Sequence, residues 1–153
     1  MIIAETMHGF VCASAGVDAS NVPGEERVCL LPVDPDGSAR RLCKQLSERS
    51  GAEVGVIVSD TFGRPWRQGL TDVAIGVSGI AAVVDLRDTP DALGRVLQVT
   101  EVAVADEIAS AAELVMGKSA NVPAAIVRGV DASWLREGSV RELIRPPAED
   151  LFR

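Results

Sequence analysis

The chain is poor in the residues that many site types require. Its 153 residues include a single histidine, His8, no tyrosine, three phenylalanines and two tryptophans. One histidine rules out a multi-histidine metal site and leaves a Ser-His-Asp system without support. So few rings make a poor stacking platform for single-stranded nucleic acid. The three cysteines, Cys12, Cys29 and Cys43, are an odd count, irregularly spaced and without a CxxC pair. They argue against a zinc site and read as reduced thiols, pointing to the cytoplasm. No basic block is present, and 15 Lys plus Arg against 22 Asp plus Glu give a net charge of −7. A general nucleic-acid partner is therefore not expected. No apolar run approaches the roughly 18 residues of a membrane span, so no membrane role is expected either. The stretch Met1-Ile2-Ile3-Ala4-Glu5 lacks the basic flank and long apolar region of a signal peptide. There is no GxxxxGK[ST] loop, so any triphosphate site is not of the P-loop kind.

What remains reads as one ordinary globular domain over residues 1–153, with 47% hydrophobic and 24% charged residues. Residues 2–14 suit a buried strand pair or extended segment, and 15–37 carry loop signals. Asp34-Pro35 predicts a helix start with Asp34 as cap, an apolar face of Ala39, Leu42, Cys43 and Leu46, and Gly51 as terminator. Val54–Val58 predicts a covered strand ending at Ser59-Asp60-Thr61, with 62–70 as a shaped loop. Val73–Val77 and Ile80–Val84 are further strands, readable as a hairpin. Thr100–Met116 predicts a long helix capped by Thr100, with Ile108, Ala111, Ala112 and Val115 on one face. Val122–Val127 predicts a strand, and Ser139-Val140-Arg141-Glu142 a capping box opening a short helix that Pro146 closes. The expected class is α+β, with α/β as the alternative, built on a mixed sheet with flanking helices.

Two loops could carry chemistry. In Ser59-Asp60-Thr61-Phe62-Gly63-Arg64-Pro65-Trp66-Arg67, a carboxylate beside a hydroxyl offers hard oxygen ligands to Mg²⁺ or Mn²⁺. Arg64 and Arg67 could grip a carboxylate or phosphate in bidentate fashion. The same residues also suit a plain turn, with Asp60 capping it, Trp66 packed on the core and both arginines solvated. In Gly16-Val17-Asp18-Ala19-Ser20-Asn21, Asp18 could hold a cation while Asn21 hydrogen-bonds a nucleotide or substrate. An Asx-type turn is the alternative. His8 reads as structural. Asp106, Glu107 and Glu113 read as the solvated face of the long helix, and Lys118 as a partner of that helix's last carbonyls, with contact to an anion as the alternative.

The run Val58-Ser59-Asp60-Thr61-Phe62-Gly63-Arg64-Pro65-Trp66-Arg67-Gln68-Gly69, continuing to Val73-Ala74-Ile75-Gly76, resembles the signature of the coenzyme F-420-0:L-glutamate ligase family. So do His8–Ala13 running into Ala15–Asn21, Glu101–Glu107 and Val127-Arg128-Gly129. The resemblance implies GTP- and metal-dependent addition of L-glutamate to coenzyme F-420-0, first as an amide and then through γ-glutamyl links. It further implies Mn²⁺ or Mg²⁺ at two sites, K⁺ as an aid, and an intertwined homodimer. Carried over by motif, Asp18 and Asp60 match metal-binding aspartates, Thr61 a ligand of a second metal, and Asn21 a nucleotide contact. A catalytic role for Arg64 or Arg67 is an inference from their chemistry. Lys118 stands near where some members have a glutamine that ligates metal. Family members carry a further region before the His8 segment, holding a nucleotide loop. The chain is thus expected to correspond to the C-terminal three-fifths of a ligase domain. Two other readings stay open: a catalytically silent module that dimerises or binds a partner, and an unrelated metal-dependent hydrolase built on Asp18 and Asp60.

Overall fold

A computed structural model describes residues 2–150. The architecture is α+β, but the sheet is not the mixed one expected. Among the described residues there are three separate two-stranded antiparallel sheets. β1 (Ile3–Glu5) pairs with β2 (Val11–Ala13), and β3 (Val56–Arg64) with β4 (Arg67–Ser78). β5 (Val84–Asp85) pairs with β6 (Glu101–Val102). The helices are α1 (Pro35–Ser50) and α2 (Val104–Met116). No helix among the described residues is long and apolar enough to cross a membrane.

Helix α1 starts as its sequence dictates. Asp34 Oδ1 accepts from the Gly37 amide at 2.8 Å, Pro35 fills the first turn, and Gly51 ends the helix at φ 67°. Ala39 is fully buried, but Leu42 and Leu46 are 47% and 50% exposed, so only part of the apolar face is covered. The start of α1 lies directly against β4. A Cβ on Gly76 would come within 2.5 Å of the Pro35 carbonyl, so glycine is required there. Asp36 then ties three distant segments together. Its carboxylate accepts from the Val77 amide (2.8 Å), the Val140 amide (3.2 Å) and the Ser139 hydroxyl (2.7 Å).

Helix α2 also packs on β4. Its Asp106 Oδ1 accepts from the Ala74 amide at 2.9 Å, and Ser110 Oγ donates to the Asp72 carbonyl at 2.8 Å. The core gathers along β4 and the segment after it: Phe10, Ala74, Ile75, Val77, Ile80, Ala82, Ala105 and Val140.

Several expectations are corrected. β1 and β2 are largely exposed rather than buried. The hairpin is β3–β4, not 73–84, and of the expected strand Ile80–Val84 only Val84 is strand, opening β5. Helix α2 begins at Val104 with no side-chain cap, because Glu101-Val102 pair with Val84-Asp85 instead of entering it. Its buried side is Val104, Ala105 and Ala109, while Ala111 and Val115 are exposed. Residues 122–127 form no strand. The Ser139 capping box is present and opens a 3-10 turn over Val140–Leu143.

Candidate functional site

The long β3–β4 hairpin sets the site. Its register places Thr61 opposite Asp72 and Asp60 opposite Val73, and only Pro65-Trp66 separates the paired residues Arg64 and Arg67. Asp60 and Thr61 therefore lie mid-strand, not at a strand end. The 62–70 stretch is not a loop but the two strands and their tight turn. Trp66 at that tip is 79% exposed rather than packed on the core.

Asp72 anchors the hydroxyls of β3. It is 5% exposed, and its two carboxylate oxygens accept from Thr61 Oγ1 (2.8 Å) and Ser59 Oγ (2.9 Å). The proton of Thr61 is thereby pointed inward, which leaves its oxygen lone pairs facing outward. Lys118 meets them, its Nζ donating to Thr61 Oγ1 at 3.3 Å. The same ammonium lies 3.9 Å from Asp18 Oδ2.

Asp18 arrives on a separate loop. Its backbone is fixed by a two-way bridge to Cys29 (3.1 and 2.7 Å). Ser20 donates to the carboxylate through both its amide (2.8 Å) and its hydroxyl (2.6 Å). This is the Asx-type turn, and it coexists with a carboxylate pointed at Lys118. The tight entry to the loop needs Gly16 at φ 72°, where a Cβ would strike Leu31 at 2.7 Å. Asn21 Nδ2 donates to the Lys118 carbonyl at 3.0 Å, holding the two loops together.

Ser59, Asp60, Thr61, Asp72, Glu113 and Lys118 line one cavity of about 200 Å³. Burial dominates at Asp60 and hydrogen bonding at Asp18. Burial pushes the Asp60 carboxyl up, Asp18 and Asp72 add to this, and the Thr61 amide and Lys118 oppose it. The Ser20 hydrogen bonds hold Asp18 below the usual carboxylate range, with help from Lys118.

Among the described residues no three His, Cys, Asp or Glu side chains form a ready metal cage. The donor set still fits a divalent cation of the Mg²⁺ type. Such an ion is usually held by one or two carboxylates and keeps water or phosphate oxygens for the remaining positions. Two aspartates and an outward-facing threonine oxygen supply that minimum, and the ammonium of Lys118 already sits among them as a stand-in cation.

Of the residues expected at the site, the structure brings together Asp18, Asp60, Thr61 and Asn21. It does not bring in Arg64 or Arg67. Arg64 lies four residues along β3 from Asp60, about 13 Å at the rise of a strand. Its Nη2 donates to the Gln68 carbonyl across the turn at 2.7 Å. Lys118 faces the Asp18 carboxylate and Thr61 rather than the carbonyls ending α2, so its alternative reading, contact with an anion, holds. Asp106 is a correction: it binds the Ala74 amide instead of facing solvent, and burial pushes its carboxyl up. His8 is structural, its ring stacked on Phe10 at 5.7 Å with Nε2 donating to the Val33 carbonyl at 3.3 Å. Asp72 was missed. Its signal was a charged residue opening the apolar run Val73–Ile75.

With this geometry in place, comparison with known proteins is decisive. The family model for F420-0:Gamma-glutamyl ligase matches residues 1–129. The chain belongs to this family. It is 50% identical over 154 residues to the Coenzyme F420:L-glutamate ligase of Methanothermobacter thermautotrophicus, covering 99% of this chain and 61% of that protein. It is 48% identical over 153 residues to the protein of the same name from Methanocaldococcus jannaschii, covering 99% and 60%. A third, from Methanopyrus kandleri, is 50% identical over 156 residues, covering 99% and 62%. The chain thus spans about three-fifths of the length of the curated ligases it matches. The cavity lined by Asp60 and Thr61, and the Asp18 loop that reaches Lys118 beside it, lie within the part matched to the family.

Proposed function

We propose that this chain carries the metal- and phosphate-handling half of a GTP-dependent ligase that joins L-glutamate to coenzyme F-420-0. One observation carries the reading. Asp60 and Thr61 line a small acidic cavity, and Asp18, from a segment far away in sequence, meets it through the Lys118 ammonium, in a chain of the ligase family.

The chemistry explains why such a cavity is needed. A carboxylate does not accept an amine near neutral pH without activation. The γ-phosphoryl group of GTP passes to an oxygen of the precursor carboxylate, giving an acyl phosphate and GDP. The glutamate amine then attacks the acyl carbon, the C–O bond to phosphate breaks, and inorganic phosphate leaves while the new amide nitrogen gives up its proton. Phosphoryl transfer is mainly a matter of positioning and charge neutralisation. Asp18, Asp60 and Thr61 would hold Mn²⁺ or Mg²⁺, which when bound neutralises terminal phosphate oxygens. Asp72 fixes the Thr61 hydroxyl so that its lone pairs stay available. Asn21 would meet the nucleotide from the Asp18 loop. Arg64 and Arg67 would receive a carboxylate only at the hairpin tip. K⁺ dependence and a homodimeric assembly belong to the same proposal.

The test is ligation itself. The chain is incubated with GTP, Mn²⁺, L-glutamate and coenzyme F-420-0, and the product is read by mass spectrometry. Glutamylated product that disappears in Asp60→Ala supports the proposal. Equal Mn²⁺ affinity of wild type and Asp60→Ala by titration calorimetry removes its basis.

A second reading is that the chain contributes this site without turning over alone. It is favoured by the chain's match to only three-fifths of its relatives' length. Exposed Ile3, Leu30 and Val33 point the same way, being apolar surface suited to a covering partner. Activity gained only when the chain is extended upstream would select this reading, and robust glutamylation by the 153 residues alone would reject it.

A further inference from the structure

We propose that Lys118 is a built-in counter-ion of the acidic cavity, holding the place of a divalent cation and yielding it when the cation arrives. The inference rests on the metal-binding role given above to Asp18, Asp60 and Thr61, and adds to it a competition internal to the chain.

Two contacts carry the inference. Lys118 Nζ donates to Thr61 Oγ1 at 3.3 Å and lies 3.9 Å from Asp18 Oδ2. It also lines the same cavity as Asp60. Both contacted groups would ligate a cation, and one ammonium serves them. A lysine ammonium has three donors and no lone pair, so it cannot share a metal's coordination shell. Metal and ammonium therefore exclude each other at this point. The lysine is also free to leave: its side chain is half exposed, and it follows the last turn of α2 at Gly117. Its backbone is not free, because Asn21 Nδ2 holds the Lys118 carbonyl at 3.0 Å. The head can swing while its root stays beside the cavity. A displaced ammonium on a fixed root remains within reach of an anion bound over the metal.

Without its counter-ion the metal-free cavity would keep Asp60 and Asp72, with Asp18 beside it, and lose the ammonium that now faces them. Lys118 thus stabilises the empty state at the expense of metal affinity. Partly exposed ion pairs are individually weak, so the competition amounts to roughly fivefold in affinity.

The experiment compares wild type, Lys118→Met and Lys118→Arg. Mn²⁺ binding is followed by titration calorimetry, and thermal melting is measured with and without Mn²⁺. The expected result is tighter Mn²⁺ binding by Lys118→Met, by roughly fivefold, and wild-type-like binding by Lys118→Arg, which keeps the positive charge. Metal-free Lys118→Met should melt below wild type, with Mn²⁺ closing the gap. Equal or weaker Mn²⁺ binding by Lys118→Met beside a binding wild type would overturn the counter-ion role and leave the metal site standing. An equal gain in both variants would overturn it too. No Mn²⁺ binding by any of the three proteins would overturn the metal reading and this inference with it.

Discussion

Thr61 and Asp72 face each other across the β3–β4 hairpin, and the Thr61 hydroxyl donates to Asp72 Oδ1 at 2.8 Å. Ser59 donates to the other oxygen of the same carboxylate. A nearly buried carboxylate is thus satisfied by hydroxyls of its own hairpin. Removing it strands two hydroxyl donors and empties their pocket. Asp72→Ala should cost roughly 2–4 kcal/mol of stability by urea unfolding. Asp72→Asn should cost less, yet its amide offers donors where one hydroxyl also donates. That hydroxyl must turn, so Mn²⁺ binding should weaken in a variant that still folds. Undiminished Mn²⁺ affinity in Asp72→Asn would remove Asp72 from the site.

Asp106 gives a pH signature of definite sign. Burial raises its carboxyl above the unfolded value of 3.8. Between the unfolded and folded values the native chain holds more protons than the unfolded one, so stability falls as pH rises through that window. Asp106→Asn keeps an acceptor for the Ala74 amide and removes the penalty. It should melt higher than wild type near pH 7, and the gap should close on acidification as Asp106 itself becomes neutral. A constant gap across that range would mean the effect is not ionic.

Asp18 has the opposite sign, since hydrogen bonds from Ser20 hold its carboxyl below 3.8. Its contribution is present above the unfolded value and is lost as pH falls through the folded one. Ser20→Ala should therefore lower stability at neutral pH and cease to matter in strong acid. Melting curves for the two proteins, superimposable at neutral pH, would contradict this.

Gly16 tests how the Asp18 loop is aimed. Alanine there must adopt φ 72° and push Leu31 aside. The expected loss is roughly 1–3 kcal/mol, with weaker Mn²⁺ binding because Asp18 moves with the turn. Replacing the helix cap, Asp34→Ala, should cost about 1 kcal/mol and leave Mn²⁺ binding unchanged.

Local signals were legible in the sequence and distant ones were not. The cap at Asp34, the stop at Gly51 and the capping box at Ser139 depend on residues a few positions apart. The metal-type residues were visible because carboxylate and hydroxyl sit side by side in both segments. Asp60 was misplaced to a strand end because Gly63 and Pro65 read as a loop, whereas the turn needs only two residues and a bulge at Gly63/Arg64 absorbs the rest. Residues 122–127 are apolar enough for a strand but find no partner strand, and pairing cannot be read from one segment. Thr100 lost its cap because the next two residues pair with Val84-Asp85. For Lys118 the sequence allows an anion as a partner, but nothing nearby in sequence announces that the anion is Asp18.

The hydrogen bond from Asn21 to the Lys118 carbonyl spans 97 positions. Such a closure is rewarded only after both ends are already held, which makes long-range pairings slow to form. The β3–β4 hairpin, with its two-residue turn, needs no such closure and can form early. During synthesis it can therefore leave the ribosome with Asp60, Thr61 and Asp72 already in register, while the residue that neutralises them has yet to be added. The acidic cavity consequently stays incomplete until Lys118 has been added, and the nascent hairpin spends that interval with its charges unbalanced.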